Sequence, residues 1–463
     1  MSDVIAERLA DLFGPLVVKE VRQGLRGRVF AIFFGVLLTA CFFVALFAWG
    51  QASPTGSARY GRDTLALLLG AQGVVCFFII PFTAFRSMAK ELEDETWVLL
   101  TLTGLGSRPI TRGKWVSAMS QAGLYASACA PFVLFSYFLN GVDLLQLVAA
   151  LVLTAGWSAF LSAVAVAIAA HAHSRLARTI ALFVALGVLL VGTAMGVAFC
   201  TALAQEGQRM LSRDEPRYAM AGIFVFSWGL TWLALEVAGA GLAAPSEHAS
   251  KWPRRALVAV TLGALVFGAG VFLATHGSKQ DAAVGQILTC LFLTLAGVGA
   301  LAERDGWPRE LAGRGVRPGA LRSFWLMLGL LGLSTATWLA LLLSVDGGTN
   351  KYLRSILATP LYPALYWSLT VLLTRLSPLR HAERSMATLA AFLGAVAVGT
   401  GVSVLAALFI EGHADHRVIN ALNPFIDRSN SDMNVAAVVL GVASALATLI
   451  ALGVLRSRDE VRA

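Results

Sequence analysis

The stretch that looks most capable of chemistry is a polar segment near the carboxyl terminus. His413, Asp415 and His416, with Glu411 close by, offer the imidazole and carboxylate groups that bind zinc. Their His-x-x-His spacing is a weak metal motif by itself, and a solvated polar loop is the favoured interpretation. We therefore expect no metal site here. A polytopic lipid-modifying enzyme that uses these side chains is kept as an alternative.

The rest of the chain lacks the usual catalytic motifs. Gly113 and Lys114 look like the end of a phosphate-binding loop, but Trp115 replaces the Ser or Thr that such a loop needs for magnesium. No nucleophile is paired with a histidine in a recognisable turn. The five cysteines lie in apolar runs without ligand spacing, which is typical of buried apolar side chains. We expect a protein that is not an enzyme, with no cofactor bound by this chain.

The composition indicates a membrane protein rather than a soluble one. Of the 463 residues, 57% are hydrophobic and 14% are charged, whereas a soluble domain carries about 25% charged residues. The formal net charge of +9 is compatible with nucleic-acid binding, but the hydropathy favours a membrane. We therefore expect membrane lipid, and no nucleic acid, among the partners.

Twelve apolar runs are long enough to cross a bilayer core of about 30 Å as helices. Of the 36 Lys and Arg residues, 26 fall in the terminal segments and alternate loops, a side that the positive-inside rule assigns to the cytoplasm. The sequence thus predicts an all-α, polytopic protein of the inner (plasma) membrane with about 12 transmembrane helices and both termini cytoplasmic. The runs are 29–50, 64–85, 115–139, 144–170, 179–204, 220–243, 256–275, 283–302, 323–344, 355–374, 386–409 and 435–455.

Two short similarities indicate an internal duplication. Gly-x-Arg-Pro occurs at Gly106 and again at Gly315, and a His-Ala element occurs at His171 and again at His381, at nearly equal offsets. Because each pair lies in equivalent loops, we expect a 6+6 parallel pseudo-repeat. The predicted domains are an N-terminal segment 1–28, a first six-helix half 29–243, a cytoplasmic linker 244–255 and a divergent second half 256–463.

The first of two notable cytoplasmic segments precedes the first run. Val17, Val21 and Leu25 recur every four residues between charged positions, which predicts an amphipathic helix lying at the membrane surface. An ordinary basic juxtamembrane segment is the alternative. The polar face is expected to comprise Lys19, Glu20, Arg22, Gln23 and Arg26.

The second segment is the loop 86–114 between the second and third runs. An acidic cluster precedes apolar and aromatic residues, which predicts a short helix with an acidic start. Held at the membrane surface, such a helix suits the groove of a basic partner protein. A solvated acidic loop is the alternative. The cluster and the residues after it include Glu91, Glu93, Asp94, Glu95, Thr96, Trp97, Leu99 and Leu100.

Both segments resemble the permease subunits of type-two ABC exporters. That family carries a Pro, apolar residues and Lys-Glu before its first span, where this chain has Pro15 to Arg22. Its loop between spans 2 and 3 returns through Ile-x-x-Gly-Lys, which here reads Ile110 to Lys114. The resemblance is good over residues 14–138 and weak beyond residue 250. The positions that depart from the family pattern are Glu95, Val98 and Gly104.

The resemblance implies a permease that works by alternating access, with ATP and magnesium bound by a separate cytoplasmic ATPase subunit. It implies an elbow helix over 15–28 and a coupling helix over 91–103 whose acidic residues face Lys and Arg of the ATPase. The implied elbow residues are Pro15, Lys19, Glu20 and Arg22. Arg108 and Lys114 belong to the implied coupling region. The implied external gate after span 11 includes Leu422, Pro424 and Phe425.

Glu236 is the one charged residue inside any predicted span. A lone carboxylate in a membrane costs about 2.5–3.5 kcal/mol on insertion scales, so it usually faces protein or a water-filled cavity. Three interpretations stay open. Glu236 hydrogen-bonds a Ser or Thr of a neighbouring helix, its side chain extends toward the membrane interface, or it has a functional role.

A secondary transporter of the major facilitator type is the main alternative for the whole chain. It shares twelve spans and a 6+6 repeat, but it usually needs several intramembrane charges, and this chain offers one. For the exporter, either the two halves of one chain form the pathway, or two chains pair through their first halves as a homodimer.

Overall fold

The computed structural model describes residues 18–51, 59–94, 106–243, 251–301, 320–345, 350–376, 388, 390–396 and 430–461. All regular structure within these ranges is helical, in agreement with the predicted all-α class. The chain divides into two compact units, Met1–Ala249 and Ser250–Ala463.

Ten helices in the described ranges are long and apolar enough to cross a membrane, so the chain is a multi-pass membrane protein. They correspond to the first ten predicted runs. The eleventh run falls mostly outside the described residues, and the twelfth corresponds to a shorter apolar stretch, Leu440–Leu455. The count of twelve, the duplication and the cytoplasmic termini therefore stay predictions.

The first unit contains eight helices in its described part. Six spans are formed, because α3 and α4 join through a π-helical turn, Val75–Ile79, into one membrane crossing. The helices are α1 (18–25), α2 (Arg28–Gln51), α3 (Arg59–Val74), α4 (Ile80–Glu93), α5 (Ser107–Phe138), α6 (Leu144–Ala170), α7 (Arg175–Ser212) and α8 (Asp214–Gly241).

Helix α6 is the centre of the first unit and packs against α4, α5, α7 and α8. Its inward positions carry small residues, including Ala159, Ala163 and Ala167 at four-residue spacing. Apolar lipid gives helices no hydrophobic reason to associate, so close backbone approach through small residues supplies much of the packing. The indole N–H groups of Trp115 and Trp157 add hydrogen bonds to backbone carbonyls across these interfaces.

The second unit uses tryptophans in the same way. The ring of Trp338 lies where a Cβ at Gly285 would stand, and its indole N–H donates to Thr289 Oγ1 at 3.2 Å. Trp367 packs likewise over Gly297 and donates to the Thr294 carbonyl at 3.2 Å. The labelled helices are α9 (Lys251–Ala274), α10 (Lys279–Leu301), α11 (Ala320–Leu343), α12 (Asn350–Ala358), α13 (Leu361–Leu376) and α14 (Asn430–Val461).

Proline explains the irregular turn in the second span. Pro81 has no N–H to donate, and just before it the Ile80 N–H donates five residues back, to the Val75 carbonyl. If the same five-residue hydrogen bonding continued for one more residue, the Cys76 carbonyl would accept from the backbone N–H of residue 81. Proline has no such N–H. The Ser158 hydroxyl of α6 donates to that carbonyl instead, at 2.9 Å. The irregular turn at Pro81 is therefore a π turn whose free carbonyl is bound by a neighbouring helix.

We expect Ser158→Ala to destabilise the first unit, because the Cys76 carbonyl loses its hydroxyl donor. The loss should be about 0.5–1.5 kcal/mol of unfolding free energy, measured by equilibrium unfolding in mixed micelles. Ser162 is the matched control: it lies one turn along α6, is buried, and its hydroxyl has no hydrogen-bond partner within the described residues. Ser162→Ala should be neutral, and equal losses in the two variants would show that the Ser158 bond contributes nothing.

Candidate functional site

Of the residues singled out by sequence, those that the structure describes converge at one end of the first unit. We call it the basic end, and define it by α1, by residues 87–94 at the end of α4 and by residues 106–115 at the start of α5. The ends of α4 and α5 flank the middle of the predicted coupling segment, residues 95–105. Those eleven residues lie outside the described ranges, as do Pro15 and the predicted external gate. The sequence-predicted roles of Glu95, Thr96, Trp97, Leu99, Leu100, Leu422, Pro424 and Phe425 thus stay predictions.

Lys114 is the buried centre of the basic end. Its side chain is 3% exposed, and its ammonium lies 2.7 Å from Glu91 Oε1 and 3.3 Å from Glu20 Oε2. It also donates to the Ser87 hydroxyl at 2.9 Å. An ammonium has three N–H donors, and here three acceptors surround it. One side chain of α5 therefore ties α1 and α4 together.

Burial makes this cluster consequential for stability. Removing one partner of a buried ion pair leaves the other charge without compensation, which typically destabilises a protein by about 3–5 kcal/mol. The Glu20 and Glu91 side chains are only 9% and 17% exposed, so neither is well hydrated without Lys114. The cluster thus acts as a unit that needs all of its members.

Glu20 differs from the sequence expectation, which placed it on the solvated polar face of the N-terminal helix. In the structure Glu20 is buried, while Lys19 and Arg22 are exposed. The reason is a close approach of α1 to α5: a Cβ at Gly24 would lie 2.5 Å from the Gln121 amide nitrogen. This approach carries Glu20 toward Lys114, whose charge offsets the loss of hydration.

The acidic residues also lie differently from the predicted acidic start of a separate helix. Glu91 and Glu93 occupy the last turn of α4, and the Asp94 N–H caps that helix by donating to the Lys90 carbonyl at 2.9 Å. Carboxylates at a helix carboxyl terminus oppose the helix dipole. Lys114 offsets this for Glu91, while Arg178 of α7 lies 3.6 Å from Glu93, which is 69% exposed and so gains little. Asp94 is exposed and has no ion-pair partner within the described residues.

Glu236 is held by two arginines rather than by the Ser or Thr that sequence reasoning considered. Its Oε1 accepts a hydrogen bond from Arg112 at 2.8 Å, and its Oε2 lies 3.1 Å from Arg108 Nε. The two arginines are four residues apart and share one face of α5. Gly239 leaves room for them, because a Cβ there would lie 3.0 Å from Arg108 Cγ. The buried carboxylate of α8 is thereby tied to the start of α5.

Sequence reasoning missed Ser87, Arg112 and Arg178. The sequence could have pointed to Arg112, because it stands one turn from Arg108 and the one carboxylate inside a predicted span needed a cation. It could not have pointed to Ser87 or Arg178, because their partners are distant in the sequence. Among the described residues no group of three His, Cys, Asp or Glu side chains could hold a metal ion. The polar segment around His413, where we expect no metal site, lies outside those residues.

The basic end is therefore an ion-pair network that joins five helices. Lys114 links α5 to α1 and α4, Arg108 and Arg112 link α5 to α8, and Arg178 links α7 to α4. What this arrangement can do is fix the relative positions of helix ends and transmit a displacement between them. No protein-family model, curated protein or solved structure matches this chain.

We expect Lys114→Met to lower the unfolding free energy by about 2–3 kcal/mol, because Glu20 and Glu91 lose their shared cation. The value lies below the usual range for a buried pair since Glu91 retains some contact with solvent. Equilibrium unfolding in mixed micelles measures the change. Arg86→Gln is the control, since Arg86 is an exposed cation on the same α4 helix.

The triple variant Glu20→Gln, Lys114→Met, Glu91→Gln separates lost charge pairing from lost packing. With neither carboxylate left charged, it should recover more than half of the stability lost in Lys114→Met. A triple variant no more stable than the single one would mean that the charges of this cluster do not stabilise the fold.

Proposed function

We propose that this chain is the membrane-spanning permease subunit of an ATP-driven exporter of the type-two ABC class, in the inner (plasma) membrane. A separate cytoplasmic ATPase would bind ATP and magnesium and drive alternating access of the spans. The observation that carries the proposal is that both ends of segment 95–105 are tied by ion pairs to other helices of the first unit.

A partner protein that displaces segment 95–105 would also displace the helices to which its two ends are tied. The segment leaves α4 at Asp94 and enters α5 at Gly106. A displacement of the start of α5 carries Lys114 with it, and with Lys114 the Glu20 carboxylate of α1. The same movement pulls Glu236 through Arg108 and Arg112, and hence α8. Movement at one small surface would therefore reach several spans at once.

The engagement of the acidic residues within the chain supports a narrower docking surface than the whole acidic cluster. Glu91 and Glu93 are engaged within the chain by Lys114 and Arg178. Asp94 is exposed, and it is the residue from which the segment departs. We therefore assign Asp94, with Glu95 beside it in the sequence, to face basic groups of the ATPase. Exposed charges at the edge of an interface speed up association and set the relative orientation of the partners more than they add affinity.

The ion pairs of Lys114 also support placing ATP on another chain. In a phosphate-binding loop the lysine ammonium is directed at the β- and γ-phosphates. Here the three neighbours of that ammonium are two carboxylates and a hydroxyl. Two negative carboxylates beside Lys114 would repel a nucleotide phosphate.

Purification from the native membrane tests the proposal. We expect a soluble ATPase that contains Gly-x-x-x-x-Gly-Lys-Ser/Thr to co-elute with this chain and to hydrolyse ATP. Asp94→Lys should weaken the complex about fivefold, and more at low than at high ionic strength. Glu206→Lys makes the same charge change at an exposed position on α7 and should leave affinity unchanged.

Two outcomes would count against these assignments. Absence of any such ATPase would overturn the exporter proposal, and equal affinity of the Asp94→Lys and Glu206→Lys variants would remove Asp94 from the docking surface. The mass of the intact complex also decides whether one permease chain or a homodimer is present.

A further inference from the structure

A cavity of about 680 Å³ opens at the basic end, between α1, the start of α2, α4 and α5. This volume lies within the range of sites that hold small organic ligands. The residues around it include six charged side chains, which is unusual for a space at the edge of a membrane bundle. Its chemistry can be compared with that of candidate occupants.

Among the described residues that line the cavity, the charges balance. The three cations are Lys19, Lys90 and Lys114, and the three anions are Glu20, Glu91 and Asp94. Lys114 is occupied by Glu20 and Glu91. Lys19, Lys90 and Asp94 are exposed and have no ion-pair partner within the described residues. The cavity thus presents two unpaired ammonium groups and one unpaired carboxylate.

The lining changes with depth along α4. Asp94 and Lys90 lie toward the end of the helix, Ser87 about one turn further in, and Thr83 about one turn beyond that. Eleven residues of α helix separate Thr83 from Asp94, a rise of about 16 Å. The wall along α4 therefore runs from the exposed Asp94 and Lys90 to Ser87 and Thr83, and the buried Lys114 ammonium lies beside Ser87.

The cavity also has an apolar side exit. Val29 and Phe30 at the start of α2 line it, and Val29 is 49% exposed. Ile32 and Val36 continue from Val29 along the same face of α2 and are 62% and 60% exposed. Exposed apolar side chains on a membrane-spanning helix face lipid. An acyl chain attached to a headgroup in the cavity could therefore leave along α2 without crossing a polar surface.

We propose that this cavity binds one glycerophospholipid with a phosphoethanolamine headgroup. Lys19 and Lys90 take the phosphate, Asp94 accepts hydrogen bonds from the primary ammonium, and the acyl chains lie on the Val29 face of α2. A zwitterionic headgroup fits better than an anionic one because the described residues of the lining carry no net charge. Ethanolamine fits better than choline because a quaternary ammonium has no N–H to donate to Asp94. The inference concerns the chain without a bound ATPase, because Asp94 is also the residue assigned to the ATPase-docking surface, and it holds whether or not the proposed function is right.

Native mass spectrometry of the full-length chain in detergent tests the site. The chain is incubated with equal amounts of dioleoyl phosphatidylethanolamine, phosphatidylcholine and phosphatidylglycerol, and retained lipid is counted. We expect one phosphatidylethanolamine per chain in clear excess over the others. Lys19→Gln with Lys90→Gln should weaken its retention about tenfold. Asp94→Asn should reduce retention of phosphatidylethanolamine to that of phosphatidylcholine.

Arg86→Gln is the matched control, because Arg86 is an exposed cation one turn from Lys90 that does not line the cavity. It should retain lipid as the unsubstituted chain does. Circular dichroism checks that each variant keeps its helical content. Equal retention of the three lipids, or equal loss in Arg86→Gln and the double lysine variant, would overturn the proposal. Displacement of the lipid by millimolar inorganic phosphate would also overturn it, showing a site for free anions rather than a lipid headgroup.

Discussion

The buried ammonium of Lys114 is the constraint on which the basic end of the first unit depends. A charge that is 3% exposed is unfavourable inside a helix bundle unless its donors find acceptors. The acceptors come from two other helices, so α1 and α4 must lie where Glu20, Ser87 and Glu91 can reach it. Over its described residues, 18–25, helix α1 contacts the bundle through Gly24 and through the ion pair of Glu20 with Lys114, of which the ion pair is the better defined.

The basic end of the first unit is held by different interactions from the middle of the bundle. Within the bilayer, small residues let backbones approach, and a hydroxyl such as that of Ser158 replaces a hydrogen bond that Pro81 removes. At the basic end, charged side chains pair with one another across helices, and Lys114 and Glu236 are buried where they do so. A partner protein or a lipid that acts there would act on contacts that join five helices.

Hydropathy predicted the ten described spans well, because crossing a bilayer demands about twenty apolar residues whatever the partners are. The predicted run 144–170 coincides with α6, whereas α7 extends at both ends beyond 179–204 because helices continue past the bilayer core. Glu20, Glu91 and Lys114 were each singled out by sequence, but on separate surfaces. Their union depends on the packing of α1 against α5 at Gly24, and pairing between residues 94 positions apart leaves no trace in one sequence. Glu236 was predicted to need a partner, but only the fold supplies Arg108 and Arg112.

The central claim is that the Lys114 cluster carries movement from segment 95–105 to the N-terminal helix. Spin labels at two exposed positions, Arg22 on α1 and Tyr137 at the far end of α5, report that movement as a distance distribution. With the proposed ATPase bound, we expect a non-hydrolysable ATP analogue to shift the distribution in the unsubstituted chain. In the Glu20→Gln, Lys114→Met, Glu91→Gln variant we expect no shift, although the ATPase still binds. The same shift in both proteins would contradict the claim.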